Sequence, residues 1–143
     1  MLRMSVSDLA AIRRHGEATY PNECCGILLG SVEGGTRSVG ICVCCDNVHP
    51  TPRHRYRVDA RQLTHAQREA RERGLQIVGF YHSHPDHSAH WSAADLDEAY
   101  WPGCSNVIIA VDNGKATDTK SFVLTGSGED KALIGEEIVV AEN

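Results

Sequence analysis

Hydrophobic and polar positions along this chain follow two periods, and the switches between them mark the elements. From Ser5 to Ala18 the spacing is helical, with Leu9, Ile12 and Gly16 on one side and Ser5 placed to cap, Asp8 following three residues on. Tyr20-Pro21 ends it. Cys24 to Gly30 is a continuous apolar run of strand length, with Glu23 at its mouth. Glu33-Gly34-Gly35 signals a turn, and Arg37 to Asp46 reads as the returning strand of a hairpin. Asn47 to His54 is a loop whose two histidines, His49 and His54, read as surface residues, and Arg55 to Val58 reads as a short strand.

Asp59-Ala60-Arg61-Gln62 is a capping-box pattern at the head of a second helix, lined on one side by Leu63, Ala66 and Ala70. His65 falls on its exposed side, and Gly74 stands where a left-handed cap would close it. Leu75 to His84 then reads as a strand, Ala93 to Tyr100 as a third helix, and Trp101-Pro102-Gly103 as its stop. Asn106 to Val111 and Thr119 to Leu124 are strands joined through the turn signal Asp112-Asn113-Gly114. Gly126-Ser127-Gly128 is a loop, and Leu133 to Val140 reads as one last strand. The order predicts a single domain over residues 1–143 of α/β (α+β) class, a mixed, mostly antiparallel sheet flanked by about three helices.

Composition changes this picture little. With 143 residues, 41% hydrophobic and 23% charged, the chain is long enough for a real core and ordinary for a soluble domain. A formal charge of −5 gives no basic footprint for nucleic acid. No stretch approaches the roughly 18 apolar residues of a membrane span. Met1 to Arg14 carries three arginines and no apolar core, unlike a signal peptide, so a cytoplasmic site is the default expectation. Six cysteines without a secretory signal read as reduced thiols. Cys42-Val43-Cys44-Cys45 lacks the second pair of a zinc finger and reads as packing in an apolar strand, as does Cys104 near the third helix.

The candidate chemistry lies between Val78 and Asp95. In a strand His82 and His84 project from one face, with Ser83 opposite, and two imidazoles so placed can grip one cation. Asp95 opens the next helix, near enough in sequence to fold back over the strand end. Two histidines and a carboxylate leave a tetrahedral zinc one ligand short, the arrangement of a catalytic site. The same Ser92-Ala93-Ala94-Asp95 is also a helix start, with Ser92 as N-cap and Asp95 as its partner.

Glu23, then His82-Ser83-His84, seven residues (Pro85 to Trp91), Ser92, two residues and Asp95 together resemble the JAMM (MPN-plus) metalloprotease signature. Pro85 after the second histidine also resembles the family, and the segment Tyr20 to Gly30 resembles the start of its compact prokaryotic branch. The resemblance implies a cytidine-deaminase-like fold and a zinc-dependent peptidase or isopeptidase with one Zn²⁺ per chain. His82, His84 and Asp95 would hold the metal, Glu23 would act as general base and acid, and Ser92 would steady the oxyanion. Relatives cleave the amide bond after the Gly-Gly tail of ubiquitin-like or sulfur-carrier proteins, which makes such a carrier the implied substrate. His87 and His90 lie outside the family spacing and read as solvent-facing or near the cleft mouth. The related zinc deaminases need P-C-x-x-C in addition to H-x-E, and no P-C-x-x-C occurs here. Two alternatives remain open: a non-catalytic interaction module of the same fold, and a peptidase acting on small peptides. The chain leaves its oligomeric state open.

Overall fold

Leu2 and Met4 alternate with Arg3 and Ser5, and this two-residue period makes the chain begin as a strand, β1 (Leu2–Ser5), with the apolar pair buried. The structure, a computed structural model, describes residues 1–99 and 101–142. Ser5 caps α1 (Val6–Thr19), its hydroxyl accepting the Asp8 N–H at 3.0 Å. The hairpin of β2 (Cys25–Glu33) and β3 (Thr36–Cys45) turns through Gly34 and Gly35, whose φ values of 56° and 80° favour glycine at both positions. Then follow α2 (Ala60–Glu72), β4 (Gln76–Pro85), α3 (Ala93–Glu98), β5 (Ser105–Asp112), β6 (Lys115–Thr125), β7 (Ala132–Glu136) and β8 (Ile138–Ala141).

The eight strands form one mixed sheet in the order β7-β6-β5-β4-β2-β3-β1-β8. The β1–β3, β1–β8 and β4–β5 pairs are parallel, and the other four are antiparallel. Its two outermost strands, β7 and β8, are consecutive in the chain with Glu137 alone between them. The sheet must therefore curl until its edges meet. A buried carboxylate holds that seam: Glu136 accepts from Arg37 Nη2 at 2.7 Å, Ser105 Oγ at 2.6 Å and Ser121 Oγ at 2.7 Å, and pairs with the Met1 α-amino group at 3.1 Å. The Leu2 N–H completes it by donating to the Glu137 carbonyl at 2.9 Å.

Helix α1 covers one face, where Ile12 meets Leu2, Met4, Leu28, Val78, Val107 and Ile109. Each such fully buried aliphatic contributes about 1.5–3 kcal/mol of transfer free energy. Gly16 brings the helix close, since a Cβ there would stand 3.0 Å from Val111 Cγ2. On the other face Ala66 and Ala70 of α2 pack on Cys25, Ile27 and Leu29, while Ala89, Trp91 and Leu96 pack on Ile108, Ala110 and Phe122. Alternation along β4 sends Tyr81 into the α1 core and leaves His82 and His84 on the face shared with α2 and α3.

Several boundaries depart from the sequence reading. The last strand, expected over Leu133 to Val140, is two strands on opposite sheet edges, because the Glu136–Glu137 seam divides it. Arg55 to Val58 forms no strand: Val58 makes one bridge to Asn47. The third helix stops at Glu98, and the expected end at Tyr100 lies outside the described residues. At α2 the Asp59 carboxylate accepts from the Arg61 and Gln62 N–H groups, but Gln62 does not close the box. Its Oε1 accepts the Asp46 N–H at 2.7 Å, tying the helix to β3. Five cysteines are buried or half-buried as expected, whereas Cys44 is exposed, and all six are free thiols.

The seam yields a stability prediction. Burial pushes the Glu136 carboxyl up, but hydrogen bonds from Ser105, Ser121, Arg37 and the N-terminus outweigh it and hold the pKa below the ordinary value. Its stabilisation is present above the unfolded pKa of about 4.3 and disappears as pH falls through the lower folded value. Glu136→Ala, which strands the Arg37 guanidinium, should cost about 3–5 kcal/mol at pH 7 in urea unfolding, and the gap to wild type should shrink below about pH 4.

Candidate metal centre and active site

The site is assembled where β2 and β4 run side by side. Cys25 pairs with His82 across this antiparallel ladder. Ser83 fastens the strand ends: its N–H donates to the Cys24 carbonyl at 3.2 Å, and its fully buried hydroxyl accepts the Cys24 N–H at 2.8 Å. Continuing that register sets Glu23 opposite His84. The Glu23 backbone is pinned from the other side too, its N–H donating to the Pro52 carbonyl at 2.8 Å and its carbonyl accepting from Asn47 Nδ2 at 3.0 Å. Asn47 also donates to the Arg55 carbonyl at 3.0 Å and accepts the N–H groups of His49 and Arg57. One amide thus organises the loop 47–58 around the strand that carries Glu23.

His82, His84 and Asp95 converge. Their ligand atoms all lie within 4.8 Å of one another, a grouping capable of holding a metal ion. The two Nε2 atoms are 3.1 Å apart, with His82 Nε2 3.2 Å from Asp95 Oδ1 and His84 Nε2 3.0 Å from Oδ2. Ligands of tetrahedral zinc at about 2.0–2.1 Å stand roughly 3.3 Å from each other, so the donor set fits such an ion in spacing as well as in chemistry. The orientations are supported from behind. His84 Nδ1 lies 2.8 Å from the Ser88 carbonyl, which assigns its proton to Nδ1 and leaves the Nε2 lone pair for the centre. The His82 ring stacks on Tyr56 with centroids 4.4 Å apart.

Asp95 reaches this position through the helix cap. Ser92 Oγ accepts the Asp95 N–H at 3.1 Å, and Asp95 Oδ2 accepts the Ser92 N–H at 2.9 Å, a reciprocal capping box. Oδ2 is therefore shared with the backbone, and Oδ1 is the oxygen more available to an ion. In the cap the Ser92 hydroxyl accepts, which leaves its own proton free to donate elsewhere. The helix start and the functional site are one motif.

Electrostatics separate the two carboxylates. Burial pushes Glu23 up to about 8, with Asp95 and Glu98 adding to the rise and His84 and Arg55 opposing it. It is 6% exposed, and its Oε1 has no hydrogen-bond partner among the described residues. Burial also pushes Asp95 up, but the charge and hydrogen bond of His82 and the bonds from His84 and the Ser92 amide outweigh it and hold Asp95 well below the usual carboxylate range. Burial lowers His82, favouring the neutral form that ligates metals, while hydrogen bonds to Asp95 and the Ser88 carbonyl carry His84 upward against burial.

A cleft of about 350 Å³ opens in front of these groups, lined by the buried Glu23 and His84 on its floor and by the exposed Ser92, Arg53, His54, His87 and His90 around them. A second cavity, of about 260 Å³, lies on the Tyr56 side and is walled by Val58, Leu63, Phe80 and Trp101. All five residues singled out from the sequence are thus brought together. His87 and His90 stand at the cleft mouth as expected. His54, expected merely at the surface, borders the cleft. Asn47, Tyr56 and Ser88 carried no signal in the sequence, because their roles arise from loop geometry.

A sheet that seats two histidines and a helix-start aspartate around one point, with a buried glutamate beside them, defines the class as a JAB-type α/β domain. The sequence profile described as prokaryotic homologs of the JAB domain matches residues 5–125, and the chain belongs to this family. It is 33% identical over 106 residues to a desampylase of Haloferax volcanii, covering 74% of this chain and 75% of that protein. It is 37% identical over 67 residues to a probable TtuB-protein conjugate cleaving protease of Thermus thermophilus, covering 47% of this chain and 45% of the relative. The solution structure of a Desulfitobacterium hafniense protein, 29% identical, superposes over 100% of this chain and 94% of its own with a TM-score of 0.86.

The raised Glu23 pKa carries a stability prediction for the metal-free protein. Between the unfolded pKa near 4.3 and the folded value of about 8, the unfolded state releases the proton first, so the folded state loses ground as pH rises. Glu23→Gln removes this penalty. Its stability relative to wild type should climb from pH 4.5 to pH 8, by up to about 4 kcal/mol, in urea unfolding with chelator present.

Proposed function

We propose that this chain is a zinc-dependent peptidase or isopeptidase that hydrolyses an amide bond after the C-terminal Gly-Gly of a ubiquitin-like or sulfur-carrier protein, with one Zn²⁺ per chain. The observation that carries the reading is the buried Glu23 carboxyl, whose Oε1 has no hydrogen-bond partner among the described residues, beside the His82–His84–Asp95 cluster. Relatives named as a desampylase and a conjugate-cleaving protease support the substrate class.

His82 Nε2, His84 Nε2 and Asp95 Oδ1 would hold the ion. Zinc bound there supplies Lewis acidity and makes water nucleophilic near neutral pH. Glu23, lining the same cleft, takes the proton of the attacking water and delivers it to the departing nitrogen. Its desolvated carboxyl is suited to both halves of that transfer, being basic enough to accept a proton and acidic enough to return it. Ser92 donates its uncommitted hydroxyl proton to the carbonyl oxygen as negative charge develops there. The aromatic cavity beside Tyr56 would take the acyl side of the substrate. No helix among the described residues is long and apolar enough to cross a membrane, which is compatible with a cytoplasmic location for this activity.

Incubation with a ubiquitin-like carrier extended past Gly-Gly, followed by mass spectrometry, tests the reading. Wild type should bind about one zinc per chain and release the extension. His82→Ala and Asp95→Ala should lose both metal and activity. Glu23→Gln should keep the metal and lose nearly all turnover, and Ser92→Ala should keep the metal and slow about 100-fold to 1000-fold. A metal-free folded protein, or full cleavage by Glu23→Gln, would contradict the mechanism.

A further inference from the structure

The cleft that holds Glu23 is charged against the character of the whole molecule. The chain carries a formal charge of −5. Yet Glu23 is the one carboxylate among the residues lining this cleft, and Arg53, His54, His87 and His90 stand over it. Among the described residues the Arg53 guanidinium makes no hydrogen bond or ion pair to the protein, unlike Arg55 beside it, which pairs with Glu98 at 2.7 Å. Asp86 lies within Coulombic reach of Arg53 and His87, but its oxygens accept from the Tyr20 hydroxyl at 2.7 Å and the Asn113 N–H at 2.8 Å. His90 is fixed by its Nδ1–H to the Trp91 carbonyl at 2.9 Å and by stacking on the Trp91 ring. Arg53, His54 and His87 therefore offer donors with no internal acceptor.

The direction of the proton sets which half of the substrate meets this rim. Glu23 returns its proton to the departing nitrogen, so the departing group lies in the cleft that Glu23 lines. Ser92, which faces the carbonyl oxygen, lines the same cleft, whereas the Tyr56 cavity contains neither residue. At about 350 Å³ the cleft is at the small end of ligand pockets, suited to one or two extended residues.

From this the geometry points to a leaving-group subsite that recognises a carboxylate, with Arg53 as its specificity-determining residue and His54 and His87 as supporting donors. The favoured leaving group is an amino acid or short peptide whose free α-carboxylate follows within one or two residues of the scissile bond. A planar guanidinium meets a carboxylate with two parallel hydrogen bonds, and an enzyme built for that contact discriminates against a ligand lacking the charge. The inference rests on the proposed cleavage for its orientation.

Its test has two arms. In the first, N-acetylated Gly-Gly-Ala and Gly-Gly-Ala-Ala, each as free acid and as C-terminal carboxamide, are titrated into the metal-free protein and followed by NMR. The acids should bind about tenfold or more tightly than the amides, shifting the Arg53 Nε–H and the His54 and His87 ring signals. Arg53→Ala should erase the preference, while Arg14→Ala, on the exposed side of α1, should retain it. The longer and shorter acids distinguish where the carboxylate sits. Equal binding of acid and amide by wild type, or a preference that survives Arg53→Ala, overturns the subsite. In the second arm the zinc-loaded enzyme is offered a carrier ending in Gly-Gly-Ala as acid or amide. The ratio of kcat/KM values should favour the acid about tenfold in wild type and approach one in Arg53→Ala. If neither carrier is cleaved while the acids still bind through Arg53, the proposed cleavage falls and the carboxylate subsite stands.

Discussion

Everything at the site depends on the antiparallel pairing of β2 with β4 in the register that sets Cys25 against His82. A slip of one residue would turn His82 and His84 into the α1 core and bring Tyr81 and Ser83 to the cleft. Two side chains on the α1 face protect the register. Tyr81 lies flat over Gly26, where any Cβ would stand 2.1 Å from its ring, so no residue with a side chain fits at that position without displacing it. Ser83 meanwhile takes the Cys24 N–H that the ladder leaves over at its end. A histidine pair and a glutamate separated by 59 residues of chain are thus held together by backbone pairing, not by loops.

Two further economies shape the centre. The capping box that starts α3 also presents the Asp95 carboxylate to the histidine pair, so a helix of six residues is enough to place it. Because Ser92 acts as an acceptor in that cap, its hydroxyl proton stays free to donate. The Asn47 amide likewise does double service, closing the loop 47–58 and fixing the Glu23 carbonyl. The loop carries Tyr56 against His82 on one side and Arg53 over the cleft on the other, so one short segment borders both the histidine cluster and the cleft.

The candidate site was legible because its parts are local signals, the H-x-H alternation, the Ser92–Asp95 helix start and the strand at whose mouth Glu23 stands, and because their joint spacing resembles a known signature. Helices were legible for the same reason, as the Ser5 and Asp59 caps show. What escaped is long-range. Nothing between Leu133 and Val140 announces that one residue separates the two edges of the sheet; that depends on Arg37, Ser105 and Ser121 converging on Glu136 from three other strands. The four residues of β1 are too few for a period to be read without the neighbours β3 and β8. Arg55 to Val58 has strand-like composition, but the Asn47 hydrogen bonds already claim its backbone at Arg55 and Arg57. His54 carried no signal because it borders the same cleft as Glu23 only through folding, which sequence spacing does not reveal.

The central claim is that His82, His84 and Asp95 form a three-ligand zinc site with Glu23 beside the metal and not on it. X-ray absorption at the zinc edge on the loaded protein tests this directly. The account predicts two imidazole nitrogens and one carboxylate oxygen with a further light-atom ligand, all near 2.0–2.2 Å, and a spectrum unaltered by Glu23→Gln. A sulfur shell near 2.3 Å, or the loss of an oxygen ligand in Glu23→Gln, would contradict it.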